Sequence, residues 1–172
     1  MTGLLPQTWS RRLLCGAAAA LFFVPAWGLE PAGAGVVLTI SGMGLKSEAK
    51  FDMAMLAALP QHSFITGTPW YPTARKFSGP LLRDVLAAAG VKTQTEGKVI
   101  EAIAINDYKV SIPIEDAWRH KLIVARLLDD KPMALRDKGP LFLIYPFDSD
   151  EQLRNSIFYS RSAWQLKSLR IK

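Results

Sequence analysis

Cysteine is nearly missing from the chain: of 172 residues only Cys15 is one, and it falls within the first 28. Those residues read as an export signal, for the reasons given below, so the mature protein carries no thiol. Disulfides, thiolate nucleophiles and thiolate–metal bonds are thereby excluded within the chain. Histidine is scarce too. His62 and His120 stand far apart with no helical ligand spacing, which argues against zinc. There is no phosphate loop, no Gly-x-Gly-x-x-Gly nucleotide fingerprint and no Gly-x-Ser-x-Gly elbow. Lys and Arg outnumber Asp and Glu by 21 to 15, but they are scattered singly and in mixed pairs. Without a basic stripe, nucleic acid is a poor choice of partner.

Long apolar runs are also absent. The longest, "LLCGAAAALFFVPAW", is about 15 residues where a bilayer-spanning helix needs about 20. Arg11-Arg12 precede it, and Ala26-Trp27-Gly28 places small residues at the positions a signal peptidase reads, so a cleaved signal over 1–28 is expected. "SRRLL" also fits a twin-arginine signal, and the choice between the two export routes stays open. Cleavage removes two arginines, leaving 19 basic residues against 15 acidic ones. The expected product is a periplasmic protein with no transmembrane helix, one domain over 36–172 behind a flexible leader at 29–35.

What is present reads as short strands broken by short helices. "VVLTISG" (36–42) is β-branched and bounded by glycine, and Asp52 is placed to cap a helix that Pro60 stops. Residues 62–70 read as an extended segment entering a loop. "SGPLLRDVLAAAGV" (78–91) predicts a helix of about ten residues, with Pro80 in its first turn and Gly90 as its left-handed stop. The runs 98–105 and 108–114 predict a hairpin turning at Asn106-Asp107, its second strand at an edge because of Pro113. Glu115-Asp116 read as the start of one helical turn and Asp129-Asp130 as a turn. Residues 122–128, "GPLFLIYP" and 163–171 complete the strands. Strands without regular β-α alternation predict an α+β fold.

Three features stand out chemically. Arg126 sits inside an apolar run, where a buried guanidinium requires either a core carboxylate or an anionic ligand. "ITGTPW" and "NDY" put hydroxyls, amides and rings on turns, the places where rigid sheets carry function. "RDKGP" offers a cation and backbone N–H groups ahead of a buried strand, either an anion cradle or a plain turn.

Taken in order, "FSGPLLRDVLAAAGV", "AIAINDYKVSIPIED", "IVARLLDDKPMALRDKGPLFLIYP" and "SAWQLKSLRI" resemble the sulfite-oxidase-type molybdopterin-binding domain over roughly 36–172, in a short stand-alone form. The resemblance implies a mixed β-sheet domain with short helices, whose loops surround an anionic pterin cofactor. Thr66, Thr68, Trp70, Asn106, Tyr108, Arg126 and Lys138 are then the expected cofactor-binding residues. Active members of the family hold molybdenum through a cysteine about a dozen residues before the helix glycine. Counting back from Gly79 reaches Thr66, Gly67 and Thr68, and no cysteine. The basic residue the family often has after its Gly-Pro is missing as well, since Leu141-Phe142 follow Pro140. A soft metal without its soft ligand is a different site. The sequence therefore points to a non-catalytic module for a small anionic ligand or a periplasmic or membrane partner protein. The alternative is a molybdenum oxidoreductase whose metal ligand is a threonine oxygen.

Overall fold

A computed structural model of the chain describes residues 35–91 and 97–172. The expected signal over 1–28 and all of the leader but Gly35 lie outside the described residues. In chain order the elements are β1 (Val36–Gly42), β2 (Ala49–Asp52), α1 (Met53–Ala58), β3 (Gln61–Thr68), β4 (Tyr71–Pro80) and α2 (Leu82–Ala88). Then come β5 (Val99–Ala104), β6 (Lys109–Pro113), α3 (Asp116–Arg119), β7 (Ile123–Ala125), β8 (Leu127–Leu128) and β9 (Lys131–Pro132). β10 (Phe142–Ile144), α4 (Ser156–Arg161), β11 (Ala163–Trp164) and β12 (Leu166–Ile171) close the chain. The fold is α+β, with mixed sheets and a few short helices. No helix among the described residues is long and apolar enough to cross a membrane.

The strands form three sheets. The largest has the order β2-β1-β12-β5-β6, with β1 parallel to β12 and its other neighbours antiparallel. A second runs β3-β4-β8-β9, and a third, β11-β10-β7, packs between them in the chain's path. Alternation sets the faces of β1, where Leu38 and Ile40 turn into the core. They meet Phe51, Phe77, Leu82, Phe142, Tyr145 and Phe147, all fully buried. At roughly 1.5–3 kcal/mol per large apolar side chain buried, this cluster is the main source of stability.

Local signals account for several elements as read. The Asp52 carboxylate accepts from the Met55 N–H at 2.8 Å and caps α1. At the end of α2, Gly90 adopts φ +90, its N–H bonds to the Ala87 carbonyl, and the Val91 N–H reaches the Leu86 carbonyl. This is a Schellman stop, with Val91 buried as its apolar contact. β6 is an edge strand, and Pro113 lies at its end opposite Val99.

Three expectations are corrected. Residues 61–68 and 71–80 form a hairpin, so Ser78, Gly79 and Pro80 belong to β4 and α2 begins only at Leu82. Tertiary pairing overrides helix propensity there, since Ser78 registers with Ser63 on one side and Leu127 on the other. Gly79 is needed for another reason: a Cβ on it would stand 2.1 Å from the Val124 carbonyl oxygen. Second, 122–128 is not one strand. The chain leaves β7 at Ala125 and enters β8 at Leu127, changing sheets at Arg126, whose N–H bonds to the Ser78 carbonyl at 2.9 Å. Third, β10 covers only Phe142–Ile144; Tyr145 and Pro146 continue as buried, irregular chain into a 3-10 turn at Phe147–Ser149.

The open edges differ. β6 carries Lys109 and Pro113, β2 is four residues long with Lys50, and β9 is Lys131-Pro132. Lysine, proline and shortness all discourage pairing with another strand. β3, eight residues long at the edge of its sheet, carries no Asp, Glu, Lys or Arg.

Candidate ligand-binding site

The β3–β4 hairpin ends in a bulge between Thr66 and Thr68 and a tight turn through Pro69 and Trp70. Thr66 is fully buried. Its hydroxyl oxygen accepts from the Asp148 N–H at 3.0 Å, while the Asp148 carboxylate accepts from the Gly67 N–H at 2.8 Å. Arg154 holds the other carboxylate oxygen at 2.9 Å. Asp148, in a 3-10 turn at Phe147–Ser149, therefore clamps the hairpin tip from outside. The Thr68 hydroxyl accepts from the Trp70 N–H at 3.3 Å and shapes the turn.

Trp70 is thrown inward by that turn. Its ring meets Trp164 at 5.4 Å, Phe142 at 5.5 Å, and Phe147 and Tyr159 at 6.2 Å, in edge-on or tilted contacts. Such pairings are worth roughly 0.5–1.5 kcal/mol each beyond burial, so the cluster is rigid. Trp70, Tyr108, Tyr159 and Trp164, with Ser160 and Ser162, line a cleft of about 220 Å³. Tyr108 comes from the β5–β6 turn and is half-exposed; the Asn106 side-chain amide oxygen accepts its N–H at 3.2 Å. Asn106 thus orients the turn and does not line the cleft.

Lys138 stands at the cleft's margin. It adopts φ +71, and its ammonium lies 5.2 Å from the Trp164 ring centre and 5.5 Å from that of Tyr71. Burial pushes the Tyr71 phenol above its ordinary pKa, against the opposing pull of the Arg75 guanidinium. The Tyr71 ring is thus an uncharged face beside the Lys138 ammonium. Flat faces next to one cation suit a planar anion.

Of the seven expected residues, Trp70 and Tyr108 line the cleft and Thr68 and Asn106 shape its turns. Lys138 adjoins it, and Thr66 is buried in the clamp below. Arg126 does not join them. It is half-exposed, and its guanidinium donates to the Gln61 amide oxygen at 2.9 Å. Gln61 is at the opposite end of β3 from Thr68, roughly 23 Å away along a strand rising about 3.3 Å per residue. The expectation of a buried guanidinium fails because the sheet change at Arg126 turns its side chain outward.

Tyr159, Trp164 and Asp148 are absent from the set the sequence predicts. A signal existed for the first: Asn155 accepts from the Ile157 and Phe158 N–H groups, and an Asn cap before "SIFYSR" marks α4. Asp148 had no local signal for this role, since its partners in the hairpin lie 81 and 82 residues away.

The donor set does not suit a molybdenum ion. The position where the family's thiolate is expected falls on Thr66–Thr68. Thr66 is sealed from solvent with its oxygen engaged, and hydroxyls are poor partners for a soft metal. Among the described residues no group of three or more His, Cys, Asp or Glu converges as a metal site.

Three small mixed sheets joined by short helices thus carry the aromatic cleft. Residues 33–147 match the family model described as the oxidoreductase molybdopterin binding domain, and the chain belongs to that family. Among solved structures it is similar to the sulfane dehydrogenase SoxCD from Paracoccus pantotrophus, at TM-score 0.59 and 19% identity, over 78% of this chain. The match spans 37% of that longer chain, and at this identity it speaks for the fold alone. No curated protein matches.

Proposed function

We propose that this is an exported, periplasmic binding module built on the molybdopterin-binding fold, which takes a flat anionic ligand of the pterin class without redox chemistry at molybdenum. The observation that carries the reading is the meeting of Trp70, Tyr108, Tyr159 and Trp164 around one cleft with Lys138 at its margin. Rings supply stacking surface for a heterocycle and the ammonium supplies charge complementarity. The sealed Thr66 hydroxyl argues against the alternative, an oxidoreductase with an oxygen-ligated metal, and leaves Thr68 as its one remaining candidate on that loop.

The test begins with full-length protein expressed with its own signal in a cofactor-competent host and purified from the periplasm. Molybdenum content and pterin fluorescence are then measured together. The expected result is a pterin-class fluorophore with no stoichiometric metal, lost on Trp70→Ala. Near-stoichiometric molybdenum would overturn the proposal in favour of the oxidoreductase. Neither component in a folded protein, with no binding of added pterin-6-carboxylate, would leave a partner-binding surface.

A further inference from the structure

A second and larger cleft, about 480 Å³, opens between α3 and α4, and Arg119, His120, Phe158 and Arg161 are among the residues that line it. Its floor is a buried polar network. The Asp116 carboxylate is 5% exposed, accepts from the Tyr145 hydroxyl at 2.7 Å, and accepts from Arg161 Nη1 at 3.0 Å. Phe158 sets the walls: the Arg161 guanidinium lies 5.2 Å from its ring centre, and the His120 ring meets it edge-on at 5.3 Å. The Arg161 guanidinium and the His120 ring are therefore held in place before any ligand arrives.

The two acids at the cleft are already engaged. Glu115 accepts from the Gly97 N–H at 2.8 Å, and Asp116 is matched by Tyr145 and Arg161. The nitrogen donors around them are only partly used. A guanidinium has five N–H donors, of which Arg161 uses one on Asp116. Neither the Arg119 guanidinium nor the His120 ring nitrogens have a hydrogen-bond partner among the described residues, the backbone N–H groups of both being used within the turn. Three sets of unfilled donors facing one cleft of ligand size, beside one phenyl ring, define what would complete them.

We propose that this cleft binds a small organic oxyanion, its carboxylate or phosphate on Arg161 and Arg119 and its ring or apolar body against Phe158. The site is independent of the aromatic cleft, which draws Tyr159 and Ser160 from the same helix but none of these donors.

The test is calorimetric titration of the mature protein with phenyl phosphate, benzoate and inorganic phosphate. Saturable one-site binding of phenyl phosphate or benzoate is expected, tighter than inorganic phosphate, and the better of the two identifies the headgroup. Arg119→Gln should weaken it about tenfold, the loss of one charge-assisted contact, with the melting temperature unchanged. Arg161→Lys keeps a charge for Asp116 but loses the planar fork and should weaken binding similarly. Arg136→Gln, far out in solvent at 88% side-chain exposure, is the control for bulk charge and should change nothing. No saturable binding by either probe overturns the proposal, and so does an equal loss in Arg119→Gln and Arg136→Gln.

Discussion

Tyr145→Phe isolates one bond in the core. The Tyr145 side chain is fully buried, and its hydroxyl has one partner, the Asp116 carboxylate at 2.7 Å. Deleting the oxygen leaves Asp116 still paired with Arg161 and leaves a cavity of only one atom. A hydrogen bond to a charged group contributes about 1.5–3 kcal/mol, so the variant should lose about that much. At roughly 4 °C per kcal/mol for a domain of this size, the melting temperature should fall by about 6–12 °C. Asp116→Ala should cost more, about 3–5 kcal/mol, because it strands the phenol and Arg161 together. The double variant should fall short of the sum, since both changes remove the same bond. The bond also has a pH signature. Burial, and next the Asp116 charge, push the Tyr145 phenol well above its ordinary value. Below about pH 10 both folded and unfolded states keep the proton and the stabilisation is complete. Above it the unfolded state ionises first and stability falls, by up to about 1.4 kcal/mol per pH unit. Urea melts from pH 8 to 11 should show that decline in the parent and a flatter one in Tyr145→Phe. A variant as stable as the parent, or with the same alkaline decline, would refute the reasoning.

Other expectations follow from the same geometry. Gly79→Ala puts a methyl group 2.1 Å from the Val124 carbonyl, backbone that cannot yield easily, so a loss of about 3 kcal/mol or outright misfolding is expected in thermal melts. Arg126→Ala removes a half-exposed side chain that meets Gln61 and should shift stability by no more than about 0.5 kcal/mol. A loss several times larger would restore a core role for it. Asp129 is held below the ordinary carboxylate range, first by the Arg75 hydrogen bond and then by the Lys76 N–H. Its contribution is present above the unfolded value and lost as pH falls through the lower folded one. Asp129→Asn should therefore flatten the acid limb of a stability profile below about pH 4.

Where structure follows from nearby residues, the sequence was a sufficient guide. The Asp52 cap, the Gly90 stop and the Asn106-Asp107 turn act over a few positions, and each does what its residue type predicts. The order of four motifs sufficed for the family. The β3–β4 hairpin escaped because its turn contains no Asn-Gly or Asp-Gly pair, and Ser78-Gly79-Pro80 carry helix-start chemistry within a strand. Arg126 misled because an uninterrupted apolar run gives no notice of a change between sheets. The cleft was half legible. Trp70 and Tyr108 announced themselves on turns, but Tyr159 joins them only through a helix packed from a distant part of the chain.

The Asp148 clamp also bears on solubility. Among the edges of the two larger sheets, β3 is the one without charge or proline, and its free backbone groups are a template on which a second chain could extend the sheet. The 3-10 turn at Phe147–Ser149 lies against the far end of that edge, where Asp148 occupies the Gly67 N–H and engages Thr66. The turn thus shortens the template from eight residues to the stretch before Thr66. A protein that loses this contact keeps its core and gains a longer sticky edge, so the Asp148 carboxylate guards against strand-to-strand aggregation.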